Sequence, residues 1–131
     1  MKTGYPQHHR QHPRISHWQQ TAAWTLQTAA LIVFMTAGSA KLLGAENMVA
    51  TFSDLGAGGQ GLRHLVGGLE IVGATLLVFP DRAYVGSLIL SILMGSAILA
   101  HLTLIDGGPI PAIALLGITV AIAWLRRPET E

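Results

Sequence analysis

The sequence predicts an all-α fold, a four-transmembrane-helix antiparallel bundle with both termini cytoplasmic, on three observations. Only 11% of the 131 residues are charged while 50% are hydrophobic, against roughly 25% charged in ordinary soluble domains. Four apolar segments follow one another along the chain. The connections after the second and third are short and carry Gly, Pro and Asp, so sequential helices are expected to lie side by side and antiparallel. A soluble domain of this size would leave much of that apolar surface in water, which makes the lipid bilayer the first expected partner.

Composition also narrows the function. No stretch alternates Lys or Arg with stacking aromatics, which argues against a nucleic-acid partner. The chain has no cysteine, so disulfides, thiolate metal sites and a dithiol relay of its own are excluded. Redox service would have to use electrons carried by something the protein binds.

Residues 1–20 hold Lys2, Arg10, Arg14, His8, His9, His12 and His17, and no acid. They bury too little apolar surface to offset their ordering entropy, so a flexible, basic, His-rich cytoplasmic tail is expected. The histidine spacing lacks a second anchoring half, and no metal site is assigned to it.

Residues 21–43 are long and apolar enough to cross a hydrocarbon layer of about 30 Å. Trp18 and Trp24 stand at the entrance, where indoles favour the headgroup boundary. The basic start and the small residues Gly38, Ser39 and Ala40 imitate a cleavable signal. The apolar run is longer than a signal core, however, and the segment is taken as the first span, at about residues 22–43.

Residues 44–61 connect, with Met48, Val49 and Phe52 on one face of a short amphipathic piece at 46–53 suited to the membrane surface. The glycine-rich stretch 56–61 lacks a preceding strand and a following Gly-Lys-Ser/Thr, and is read as a turn rather than a phosphate loop. The second span covers about residues 62–79 and ends before Pro80, which blocks continuation. The third covers about 84–105, with Ser87, Ser91 and Gly95 as a small-residue seam, and the fourth about 110–125. The membrane domain is thus residues 21–127, followed by a short tail at 128–131.

Orientation follows from the cations. Lys2, Arg10, Arg14, Arg82, Arg126 and Arg127 fall on one side and only Lys41 and Arg63 on the other, so both termini are expected in the cytoplasm. Lys41, Arg63, His64, Glu70 and His101 then gather in the outer half, and the inner half reads as apolar. A Lys41–Glu70 ion pair is within reach, and Arg63 lies two helical turns from Glu70 on the same face. Two readings stand: the charges fix helix register, or Lys41, Glu70 and His101 form a polar pocket with Arg63 and His64 in secondary roles.

The residues 37–42 (AGSAKL), 67–73 (GGLEIVG) and the late His101 together resemble the DoxX-like family of small four-helix membrane proteins, over about residues 25–127. The resemblance implies a multi-pass protein of a prokaryotic inner membrane, accessory to a membrane redox or oxidative-stress system. With no cysteine and no flavin or haem motif, no covalently bound cofactor and no independent catalysis are expected, and quinone is the ligand the resemblance suggests. Lys41 or His101 would donate to its carbonyls and Glu70 would orient them. Alternative readings are a small transporter or proton-conducting protein using Glu70, and a membrane scaffold or assembly factor recruiting a redox enzyme or soluble protein. A homo-oligomer is compatible with all of them.

Overall fold

The computed structural model describes residues 15–129, and these are all-helical, with five helices and no strand. They are α1 (His17–Leu43), α2 (Glu46–Ser53), α3 (Gly59–Leu76), α4 (Ala83–Thr103) and α5 (Ile110–Arg126). Residues 1–14, which hold most of the expected tail and three of its histidines, lie outside the described part.

α1 starts at His17, four residues before the expected membrane domain, because Gln19 Oε1 accepts the Ser16 N–H at 3.1 Å and satisfies a donor the helix start would leave unpaired. Its end is equally well marked. Gly44 takes the left-handed conformation at φ 73°, and the Ala45 N–H reaches the Ala40 carbonyl at 2.9 Å, the pattern of a Schellman stop.

α2 is helical over the expected residues, and it buries Phe52 and packs on α3. The glycine-rich stretch departs from expectation: Gly59, Gln60 and Gly61 already belong to α3. A side chain at Gly59 would run into the Phe52 carbonyl, so glycine permits α2 and α3 to touch there. At its other end α3 stops at Leu76, three residues early. The N–H groups of Leu77, Val78 and Phe79 bond three residues back, tightening the chain ahead of Pro80.

α1 packs on α3, α3 on α4, α4 on α5, and α5 returns to α1, so each long helix has two neighbours. Ala30, Phe34, Ala74, Leu77, Leu90 and Ile122 fill the centre. Close approach is set by two glycine pairs. A Cβ added at Gly38 would lie 2.9 Å from the Gly67 carbonyl oxygen, and one at Gly86 would lie 2.7 Å from that of Gly73. On α4 the contact residue is therefore Gly86, not the expected Gly95, which faces open space. Ser91 of the expected seam does bridge helices, donating to Thr119 of α5 at 2.9 Å.

The outward surfaces stay apolar, with Ile32, Ile92, Leu99, Ile110 and Val120 all exposed. α1 and α4 are long and apolar enough to cross a membrane, while α5 is apolar but shorter.

Candidate functional site

The buried residues of α3 include Gly59, Arg63, Gly67, Glu70 and Ala74, a spacing of three and four that forms one stripe. Lys41, in the last turn of α1, meets this stripe because Gly67 presents no side chain to it. Lys41 Nζ donates to Glu70 Oε1 at 3.1 Å and to Oε2 at 2.9 Å. The Glu70 side chain is 2% exposed and that of Lys41 12%, so the carboxylate is closed while the ammonium keeps some access. An ammonium has three donors, and this pairing uses two.

Arg63, 7% exposed, works on the same residue from the other side. Its Nη1 donates to the Lys41 backbone carbonyl, and its Nε donates to Gln60 Oε1 at 2.8 Å. Gln60 in turn donates to the Val49 carbonyl and to Ser53 Oγ, both at 3.1 Å. Arg63 is therefore a cationic cap on the C-terminal end of α1, where the helix dipole is negative, and Gln60 ties that cap to α2. Gln60 escaped the sequence reading because it stood among glycines read as a turn.

Arg63→Met should leave the Lys41 carbonyl uncapped. Amide hydrogen exchange in the last turn of α1 is expected to quicken about tenfold, consistent with roughly 1–2 kcal/mol for a lost cap, while α4 is unchanged. Equal exchange in the two proteins would show that the cap is not holding that turn.

The other two candidates sit differently. His64 is exposed and its Nδ1 bonds the Gln60 carbonyl at 2.8 Å, which makes Nδ1 the donor; Nε2 lies 3.5 Å from Arg63 Nη2. His101 has no hydrogen bond or ion pair to Lys41 or Glu70, and its buried Nδ1 has no partner among the described residues. Helix register explains the separation. Gly73 faces Gly86 across antiparallel helices, so Glu70 is level with Ile89. His101 lies about 18 Å further along the axis at 1.5 Å per residue. Lys41, Glu70 and Arg63 come together; His101 stands apart.

The other end of the molecule is not apolar as the sequence suggested. Gln27 of α1, 2% exposed, donates to the Leu77 carbonyl at 2.6 Å and accepts from Arg126 Nε at 2.7 Å. Arg126 Nη1 also donates to Gln20 Oε1 at 3.2 Å, and the guanidinium lies 5.2 Å from the centre of the Trp24 ring. One cluster thus ties the start of α1 to the ends of α3 and α5. The signal available in the sequence was Gln27 itself, since an amide within an apolar span needs partners.

Fold and site define an all-helical protein of membrane type, with apolar outer faces, a buried ion pair near one end and a buried amide–guanidinium cluster near the other. The chain belongs to the DoxX-like family, whose sequence profile matches residues 25–125. Comparison with curated proteins and with solved structures finds no match in either. Family membership and the apolar helices point to a membrane location.

Proposed function

We propose that this protein crosses a prokaryotic inner membrane four times with both termini in the cytoplasm, α1, α3, α4 and α5 being the spans and α2 lying at the outer surface. It serves as a non-catalytic accessory of a membrane redox or oxidative-stress system and binds the head of a quinone at Lys41. The observation that carries the ligand reading is the partial accessibility of Lys41 beside a closed Glu70. The carboxylate holds the ammonium in place, and the remaining N–H of Nζ can meet a quinone carbonyl oxygen. His101, level with a different part of the bundle, is not a donor to the same head. A transport path through Glu70 is disfavoured by the core. Ala30, Phe34, Ala74 and Leu90 are fully buried and apolar, and they seal the space between the two polar clusters.

Quinone affinity of the purified protein should fall at least about tenfold in Glu70→Gln and in Lys41→Gln, each loss costing roughly 1.4 kcal/mol or more. Unchanged affinity in both would remove the ligand reading. The topology is tested separately, since a chain without cysteine accepts single reporters. A cysteine at Gly58 should react with an impermeant maleimide in intact spheroplasts, and one at Arg127 only after lysis; the reverse pattern would overturn the orientation.

A further inference from the structure

We propose that the junction of α1 and α5 is a binding site for a phosphate oxyanion, held by the guanidinium of Arg126. It rests on the membrane-embedded part of the function proposed above and not on the quinone site. Arg126 carries a fixed positive charge, yet each of its partners is neutral: the side-chain oxygens of Gln20 and Gln27 and the ring of Trp24. The ion pairs among the described residues are Lys41–Glu70 and Arg82–Asp81, and neither involves Arg126. Its Nη2 is buried with no acceptor among those residues.

An uncompensated charge and an unused donor on one planar group are both answered by a single oxyanion, which accepts a charge-assisted hydrogen bond from Nη2. Depth selects phosphate. Trp18, Trp24 and Trp124 are exposed at this end, and such indoles mark the level of the headgroups, where phosphates reside. Arg127, exposed and 5.2 Å from the Trp124 ring centre, adds a second cation at the same end of the bundle. Nη2 is shielded from water, so the anion enters with a side-chain movement at the rim, where Trp24 is 39% exposed. The phosphate can come from an anionic phospholipid headgroup or from free inorganic phosphate.

Full-length protein in a neutral detergent, titrated with phosphatidylglycerol or phosphatidylcholine and followed by native mass spectrometry, separates these cases. Wild type should retain one phosphatidylglycerol at least about tenfold more tightly than phosphatidylcholine, the scale of one charge-assisted hydrogen bond. Arg126→Gln should lose that preference, and Arg82→Gln, which removes an exposed charge at the same end, should keep it. Competition by excess inorganic phosphate assigns the site to phosphate from either source; absence of competition assigns it to the lipid headgroup. Arg126→Lys controls for folding, since it breaks the same bonds to Gln20 and Gln27 but keeps a cation at that place, and it should keep part of the preference. Retention of the preference in Arg126→Gln, or an equal loss in Arg126→Lys, overturns the proposal. Neither outcome depends on quinone binding, which is measured on the Lys41 and Glu70 variants.

Discussion

Lys41→Met is expected to destabilise the protein by about 3–5 kcal/mol, because it removes the ammonium that bonds both oxygens of Glu70 and leaves a carboxylate buried without its counter-charge. The magnitude measures the stranding of one charge, not the worth of the pair. The double variant Lys41→Met/Glu70→Met should therefore recover most of the loss, since two apolar side chains of similar length need no compensation in this setting. Equilibrium unfolding in mixed micelles across the four proteins of the cycle gives both quantities. A single-variant cost below about 1 kcal/mol would mean that Glu70 finds other solvation, and the pair would lose its place as the joint between α1 and α3.

That pair was legible in the sequence because successive spans cross the membrane in alternate directions, which sets the end of α1 at the same level as the start of α3. Lys41 is long enough to bridge the difference in level. Its second restraint was not legible. Arg63 reads as a cation at a helix end that should reach for headgroups, whereas the structure turns it inward onto the Lys41 carbonyl. Such a choice depends on where α1 stops relative to α3, and only the Gly38–Gly67 contact fixes that. The separation of His101 from the pair was hidden for the same reason. Its distance from the end of α4 was readable, but its level relative to Glu70 depends on the register set by Gly73 and Gly86. Gln27 and Arg126 lie ninety-nine positions apart and meet only when α5 closes on α1. Hydropathy, which averages over a span, conceals a single amide of that kind. The helices themselves were readable to within a few residues, and their ends moved where capping groups or tight turns outweighed the apolar pattern.

Glycine packing gives the second large effect. Gly67, Gly68 and Gly73 surround Glu70 in the sequence, but a helix places neighbouring residues about 100° apart, and of the three only Gly67 and Gly73 are buried. A Cβ at Gly67 would stand 2.9 Å from Lys41 Cβ and 3.0 Å from the Gly38 carbonyl oxygen, whereas nothing lies within 4 Å of one at Gly68. Backbone cannot rotate aside as a side chain can, so Gly67→Val must push α1 away from α3. The expected cost is about 3 kcal/mol, the upper end of the range for overpacking. It should also weaken the Lys41–Glu70 pair, since Glu70 lies one turn along the same stripe. Gly68→Ala should instead be neutral or gain about 0.5–1 kcal/mol from helix propensity. Spin labels on single cysteines in α1 and α3 should report a wider separation in Gly67→Val and none in Gly68→Ala. If Gly67→Val kept both the separation and the stability of the parent, the close crossing of α1 and α3 would be wrong, and with it the reason Lys41 reaches Glu70.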